Sequence, residues 1–123
     1  MIHLDTSALV DSLTGKRRSG LRLRQFIENA ERVHLSALVF YEWRRGPRQP
    51  QEIKDQEDLF PADQIVTFGA AEALIAARLY RQVKRPRGRE IDIAIAACAI
   101  AHNADLWTLN AADFKDIPNL KLA

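Results

Sequence analysis

Cysteine is almost absent from this sequence: Cys98 is the only one among 123 residues, so no internal disulfide can form. It lies within the apolar run 95–100, which predicts a small core residue rather than a nucleophile. No apolar run approaches the ~20 residues that a membrane-spanning helix needs, and the first residues lack the basic-then-apolar layout of a secretion signal. We therefore expect a cytoplasmic protein that does not enter a membrane.

Apolar residues, by contrast, make up 47% of the 123 residues. At this length folding buries about two-thirds of the surface of the chain, which is enough for a real core. No repeat, low-complexity tract or linker divides the sequence. We therefore expect a single domain over residues 1–123.

The formal net charge of +2 conceals an uneven distribution of charge. Residues 16–48 carry nine Lys or Arg against three acids, and residues 78–89 carry six Lys or Arg and no acid. Acids concentrate instead in residues 52–58. Separate basic stretches supply the sequence-independent attraction that phosphate backbones require. An ordinary solvated helix face has the same composition, so charge alone does not decide between the two interpretations.

Short apolar runs alternate with helical patterns along the chain. We predict strands at residues 2–4, 33–35, 64–67, 106–109 and, as a final edge strand, 120–122. Helical periodicity and capping residues predict helices beginning after residue 5 and at 21–30, 37–45, 50–60, 70–84 and 90–102, with a short turn or helix at 110–114. Strands that alternate with helices predict a three-layer α/β/α sandwich with a central, mainly parallel sheet.

Four acidic residues are predicted to meet at one edge of this sheet. In such folds the ligand site lies beyond the carboxyl ends of the strands. The acids at those positions are Asp5, Glu42, Asp92 and Asp113. Apolar residues precede Glu42 and flank Asp92, yet burying an isolated carboxylate costs several kcal/mol and adjacent carboxylates repel one another. A bound cation would relieve both penalties.

Carboxylate oxygens, without histidine or cysteine in metal-binding spacing, favour Mg²⁺ or Mn²⁺ over zinc. Ions of this kind bind phosphate oxygens, activate water and stabilise the charge that grows on a phosphodiester. The acidic pattern therefore predicts metal-dependent hydrolysis of a nucleic-acid strand. Taken singly, three of the acids also have simpler explanations: Asp5 as a helix cap, Asp92 as a complement to a helix dipole, and Asp113 as a turn residue.

Polar residues adjoin the acids in the sequence. Thr6, Ser7, Thr108 and Asn110 are placed to orient carboxylates or a metal-bound water. Helix capping and turn formation explain these four residues equally well. The three histidines are expected on strands or helix surfaces, and both tryptophans are expected to pack in the interior.

Four motifs carry the acids in a defined order: IHLDTS at 2–7, LSALVFYE at 35–42, DIAIAA at 92–97 and LWTLNAADF at 106–114. Each motif is weak alone, but their order and spacing are specific. Over nearly its whole length the chain resembles the PIN-domain ribonucleases, and among them the VapC-type toxins of bacterial and archaeal toxin–antitoxin pairs.

The resemblance implies a PIN-like domain with Mg²⁺- or Mn²⁺-dependent endoribonuclease activity on an RNA substrate, in which Asp5, Glu42 and Asp92 are the core acids. It also implies homodimerisation, and inhibition by a cognate VapB-type antitoxin that covers the acidic pocket.

The fourth acidic position varies among family members. Asp113 matches it best. The alternatives at this position are Asn110, as a polar contributor, and Asp116, as a weaker candidate. Arg44 and Arg45 follow Glu42 within one helical turn, where they are placed to meet RNA phosphates. This last expectation comes from their position and not from the family.

Other functional classes remain as alternatives. A PIN-like domain that binds RNA without cutting it, or that serves in assembly, has no reason to bury carboxylates that repel each other. A phosphoacceptor receiver domain needs paired acids after the first strand and a lysine after the last, and neither is evident. A DNA-directed nuclease is chemically possible, because metal-assisted phosphodiester cleavage does not require the 2′-hydroxyl.

Overall fold

A three-stranded parallel sheet lies at the centre of the fold. The computed structural model describes all 123 residues. Its strands are β1 (Ile2–Leu4), β2 (Val33–His34) and β3 (Asp105–Trp107), in the spatial order β2-β1-β3, with the first residues of all three in register. Every residue of β1 is buried, although neighbouring side chains point to opposite faces, so both faces of the sheet are covered. The predicted α/β sandwich is confirmed.

Six α-helices surround the sheet. They are α1 (Thr6–Leu13), α2 (Gly20–Glu28), α3 (Ala37–Arg45), α4 (Pro50–Leu59), α5 (Ala70–Gln82) and α6 (Glu90–Ala101), and single 3₁₀ turns occupy Ala62–Gln64 and Ala111–Asp113. Each helix lies where the periodicity predicted it, with ends shifted by no more than two residues. None of the six is long and apolar enough to cross a membrane.

The two outer strands predicted at 64–67 and 120–122 were too long. Each segment retains one parallel bridge to the sheet: Ser36 with Val66, and Leu106 with Leu122. The first segment overlaps a 3₁₀ turn and is soon followed by α5, so little chain is left for pairing. Residues 121–123 at the end of the second segment are all exposed, so burial does not favour a longer ladder there.

Local hydrogen bonds mark where three of the helices begin. At the start of α3 the Ser36 hydroxyl accepts a backbone N–H at 3.3 Å. The backbone N–H of Gln49 donates to Glu52 at 2.8 Å at the start of α4, and that of Gly69 donates to Glu72 at 3.2 Å at the start of α5. These contacts satisfy backbone groups that a helix end would otherwise leave unpaired.

Helix α6 is the most deeply buried of the six. Residues 93–99 are all buried, and most of them are alanine, whose small side chain allows α6 to pack closely against α5. Burial also raises the pKa of the Cys98 thiol to about 11, in agreement with the predicted core role. Trp43, Trp107 and Phe114 are the largest fully buried side chains of the core. Both tryptophans therefore pack inside the protein as predicted.

We expect Ile95→Ala to lower the free energy of unfolding by about 2–5 kcal/mol, because it empties space in a packed core. Ile95 is 1% exposed, whereas Ile91 on the same helix is 38% exposed. The matched variant Ile91→Ala should change the free energy of unfolding by less than about 1 kcal/mol. Urea unfolding followed by circular dichroism measures both, and equal losses would contradict the assigned burial of α6.

Candidate active site

The four predicted acids gather at the carboxyl edge of the sheet. Asp5 directly follows β1, Glu42 lies on α3 after β2, Asp92 lies in the first turn of α6, and Asp113 ends the 3₁₀ turn after β3. Asp5 is buried, Glu42 and Asp92 are half-buried, and Asp113 is exposed. The acids therefore lie on four different elements and differ in their access to solvent.

Hydroxyl groups hold the carboxylate of Asp5. The hydroxyl of Thr108 donates to Oδ2 of Asp5 at 2.7 Å, and the hydroxyl of Ser7 donates to the same oxygen at 2.9 Å. The backbone carbonyl of Asp5 begins α1, but its side chain makes no capping hydrogen bond. Helix capping therefore does not account for the carboxylate at this position.

Backbone groups after β3 complete the same network. The N–H of Leu109 donates to the Ser7 hydroxyl at 3.0 Å, and the N–H of Asn110 donates to the Thr108 hydroxyl at 3.0 Å. Because each hydroxyl accepts from the backbone, its own proton is directed toward Asp5. Asn110 enters this network through its backbone N–H, whereas the sequence had suggested its side chain. The turn that makes these contacts also ends β3 earlier than predicted.

Glu42 has two partners in the structure. The Thr6 hydroxyl donates to Oε1 of Glu42 at 2.6 Å, and Nη2 of Arg45 approaches Oε2 at 3.4 Å. Arg44 reaches in another direction, with Nη1 at 3.4 Å from Oε1 of Gln56 on α4. Of the two arginines predicted to meet RNA, one therefore lies against an acid of the site and the other contacts a neighbouring helix.

Electrostatic repulsion identifies the four acids as one group, called here the acidic cluster. Burial first, and then the charges of Asp5, Glu42 and Asp113, together raise the pKa of Asp92 to about 6, while the charge of Arg89 acts in the opposite direction. Each of these carboxylates must lie near Asp92 to have this effect. Protonation of Asp92 or binding of a cation would therefore reduce the repulsion within the acidic cluster.

Arg89 is a site neighbour whose role the sequence did not reveal. Its guanidinium donates to both carboxylate oxygens of Asp116, at 2.9 and 2.6 Å. Asp116 is therefore engaged in an ion pair, which leaves Asp113 as the stronger candidate for the fourth acidic position. The only signal in the sequence is that Arg89 lies three residues before Asp92, at the end of a basic stretch that resembles a solvated surface.

The three histidines, distant in sequence, lie close together in the fold. The ring of His3 on β1 is centred 6.3 Å from that of His34 and 5.6 Å from that of His102. Burial first, and then the charges of His102, His34 and the N-terminus, together lower the pKa of His3 to about 4. His3 therefore lies on a strand, as predicted, and is a neutral side chain buried in the core.

The donor set of the acidic cluster suits a hard divalent cation. Its ligating atoms are carboxylate oxygens, which Mg²⁺ and Mn²⁺ prefer. The raised pKa of Asp92 shows that negative charge is disfavoured there, and a cation reverses that effect. In the structure no group of three or more His, Cys, Asp or Glu side chains is arranged so that it could hold a metal ion. The fit therefore rests on the donor chemistry and on the destabilised charge of Asp92.

Comparison with known proteins places this arrangement in a family. The family model described as PIN domain matches residues 2–120. The chain belongs to the PIN-domain family. Among curated members, it is 34% identical to Ribonuclease VapC19 of Mycobacterium tuberculosis over 120 residues, which cover 96% of this chain and 95% of that relative. The family resemblance drawn from the four motifs is confirmed.

Solved structures share the fold of this PIN domain. DNA-bound VapBC from Salmonella typhimurium has a TM-score of 0.79 at 17% identity, covering 99% of this chain and 96% of that one. VapBC2 from Rickettsia felis, bound to a promoter DNA fragment, has a TM-score of 0.76 at 24% identity, covering 100% and 98%. FitAcB from Neisseria gonorrhoeae has a TM-score of 0.75 at 24% identity, covering 100% and 97%. Identities this low show a common fold alone.

We expect Asp92→Asn to stabilise the metal-free domain near neutral pH. The folded-state pKa of Asp92 is about 6, against an ordinary 3.8, so wild type loses stability as the pH rises from about 4 to 6 and does not regain it above. Allowing for solvent screening of a half-buried group, the variant should gain about 1–2 kcal/mol at about pH 7.5. Urea unfolding in EDTA measures the difference.

The matched control is Asp58→Asn, which removes a well-exposed carboxylate from α4 and should bring no such gain. The gain from Asp92→Asn should shrink toward zero as the pH falls to about 4, because wild type is then protonated at this position. A gain that is independent of pH would show that charge at Asp92 is not its cause.

Proposed function

We propose that this PIN domain is a metal-dependent endoribonuclease that hydrolyses RNA phosphodiesters and serves as the toxin of a type II toxin–antitoxin pair. The observation that carries the proposal is the acidic cluster at the carboxyl edge of the sheet, where burial and then the neighbouring carboxylates raise the pKa of Asp92. The 34% identical relative from Mycobacterium tuberculosis is named a ribonuclease, and a solved structure with the same fold is a toxin–antitoxin complex from Klebsiella pneumoniae.

In this proposal Asp5, Glu42 and Asp92 hold an Mg²⁺ or Mn²⁺ ion, and Asp113 completes the set. When bound, such an ion supplies a lowered pKa for water and a positive charge that offsets the charge growing on a phosphodiester. The chain itself supplies oxygens from four separate elements at one edge. In this proposal a phosphate group approaches the acids from beyond the carboxyl ends of the strands, where ligands bind in folds of this kind.

The hydroxyl groups around the acidic cluster keep its carboxylates in fixed orientations. Ser7 and Thr108 both donate to Oδ2 of Asp5, and Thr6 donates to Oε1 of Glu42. Outer partners of this kind stabilise the charged form of a carboxylate and limit its rotation. In the proposed mechanism they therefore reduce the reorganisation that binding of a cation and a phosphate would otherwise need.

Basic side chains near the acidic cluster are proposed to receive the RNA backbone. Arg44 and Arg45 are exposed at the end of α3, and the contact with Glu42 places the guanidinium of Arg45 beside an acid of the site. Arginine binds phosphate through parallel hydrogen bonds. A DNA strand presents the same phosphates, so the choice of RNA rests on the ribonuclease relative.

The alternative function is a PIN-like module that binds RNA or a partner without cutting. Burial of Asp5 and the raised pKa of Asp92 weigh against it, because a binding surface gains nothing from carboxylates that repel one another and phosphate. A bound cation would offset both repulsions, and catalysis by that cation requires the carboxylates to lie close together. Homodimerisation, which the family resemblance implies, stays a prediction.

We expect Asp5→Asn and Asp92→Asn each to reduce RNA cleavage at least about 100-fold, because each removes a charged oxygen from the proposed cation site. Fluorogenic RNA hairpins incubated with Mn²⁺ or Mg²⁺ measure the rate. Asp58→Asn, which removes an exposed carboxylate elsewhere, is the matched control and should cleave like wild type. Cleavage that survives either substitution, or an excess of EDTA, would refute the metal-nuclease proposal.

A second surface fits the proposed antitoxin. The groove between α1, α2 and the end of α4 has a volume of about 570 Å³, and the large apolar side chains of Leu21, Ile27 and Leu59 are exposed around it. The basic side chains of Arg17 and Arg24 also line this groove. We propose that an amphipathic segment of the antitoxin docks here, with apolar residues in the groove and acids toward Arg24, since Arg17 already pairs with Asp55 at 2.6 Å.

The test uses the small protein encoded beside this gene, if one is present, as the antitoxin. Leu21→Glu combined with Ile27→Glu should weaken its binding at least about tenfold, because both changes place charge in an apolar contact. Leu74→Glu introduces the same charge at an exposed leucine on α5 and should leave affinity unchanged. Isothermal titration measures all three proteins, and equal affinities for the groove variant and wild type would exclude the groove.

A further inference from the structure

Arg89 joins the start of α6 to the loop that carries Asp113. Gly88 turns the chain just before it with a φ of 85°, a conformation that favours glycine. From this turn the guanidinium of Arg89 reaches Asp116, with Nη1 donating to Oδ2 at 2.9 Å and Nη2 donating to Oδ1 at 2.6 Å. Nη2 also donates to the backbone carbonyl of Asp113 at 2.8 Å. One side chain therefore holds both ends of residues 113–116.

This three-point contact differs from an ordinary surface ion pair. Lys54 and Asp58 on α4 make a single contact of 3.5 Å between side chains that are 66% and 65% exposed. The side chain of Arg89 is only 22% exposed, and that of Asp116 is 47% exposed. Single exposed pairs hold their partners weakly, whereas the planar fork of arginine fixes the orientation of a carboxylate with two parallel bonds. Arg89 and Asp116 therefore form a directional brace.

The segment that carries Asp113 is held partly by its own backbone and partly by Arg89. Asp113 is exposed and ends a single 3₁₀ turn, in which the backbone N–H groups of residues 113–115 donate to the carbonyls of Asn110 and Ala111. Phe114 and Ile117 are buried and anchor the segment to the core, so the loop has a secure base. Those apolar contacts do not set the backbone carbonyl of Asp113, which is bonded by Arg89 instead.

Arg89 lies three residues before Asp92, directly preceding the helix on which Asp92 sits. We propose that Arg89, paired with Asp116, is a positioning residue that holds Asp113 beside Asp92 in the acidic cluster. The proposal rests on the proposed nuclease function. Asp116 acts in it as the fixed partner of Arg89 and not as a ligand of the cation.

The test compares Arg89→Gln, Arg89→Lys and Asp116→Asn with the control Lys54→Gln, which removes a surface cation from the exposed pair on α4. On one fluorogenic RNA hairpin with Mn²⁺, Arg89→Gln should lower kcat about 10- to 100-fold while KM changes less than about twofold, because a displaced Asp113 harms the reaction more than RNA binding. Lysine should restore part of kcat, since it keeps the charge without the fork. Lys54→Gln should match wild type.

A double-mutant cycle shows whether Arg89 acts through Asp113. In an Asp113→Asn background, Arg89→Gln should lower kcat by less than about twofold further, because the group it positions is already lost. If Arg89→Gln instead lowers kcat in the Asp113→Asn background by as large a factor as in wild type, Arg89 acts independently of Asp113. That result would overturn the proposal. Asp116→Asn keeps the shape of its side chain and supplies the same comparison if Arg89→Gln does not yield folded protein.

Calorimetric titration with Mn²⁺ gives a second readout that does not depend on RNA. Arg89→Gln and Asp113→Asn should weaken Mn²⁺ binding by similar factors, and Lys54→Gln should not. Wild-type Mn²⁺ affinity in folded Arg89→Gln would contradict the positioning role. A change confined to KM and its salt dependence would assign Arg89 to an RNA phosphate and would also overturn the proposal.

Asp5→Asn distinguishes failure of the nuclease proposal from failure of the positioning role of Arg89. If this variant still cleaves the hairpin with Mn²⁺, the nuclease proposal itself fails. If Asp5→Asn is inactive while Arg89→Gln keeps the wild-type kcat, only the positioning role fails.

Discussion

Repulsion among partly buried carboxylates is the constraint on which the rest of the site depends. Burial and three neighbouring acids raise the pKa of Asp92, so the folded chain carries an electrostatic cost at the carboxyl edge of its sheet. Other groups offset part of that cost. Hydroxyls donate to Asp5 and Glu42, and the charge of Arg89 lowers the pKa of Asp92. A divalent cation would offset it more strongly, which would link the stability of the domain to its proposed chemistry.

The hydrophobic core prevents the acidic cluster from relieving its repulsion by moving apart. Asp92 lies in the first turn of α6, and the seven residues that follow it are all buried. Moving this helix away would expose apolar surface at a cost of roughly 25 cal/mol per Å². The positive end of the helix dipole compensates part of the charge of Asp92. Core packing therefore holds a carboxylate in a place that electrostatics alone disfavours.

Residues beside the acids serve the site and the local backbone together. Ser7 and Thr108 each accept a backbone N–H and donate to Asp5, so the same hydroxyls shape the loop after β3 and orient a carboxylate. Sequence inspection offered capping and orientation as competing roles for such residues. In the fold one hydroxyl performs both tasks, because it donates one proton and accepts through its lone pairs.

Local signals in the chain were enough to predict the six helices and the three strands, since periodicity and capping residues are properties of near neighbours. The four acids were singled out by a similar local signal, a charge within or beside an apolar run, and their role stays a prediction. The segments 64–67 and 120–122 were overextended, because the length of a strand depends on the partner that pairs with it. The pair of Arg89 with Asp116 spans 27 residues and had no local signature. Contacts at that separation arise only when the chain folds, so tertiary structure alone decided which basic side chain lies beside the acidic cluster and with which acid it pairs.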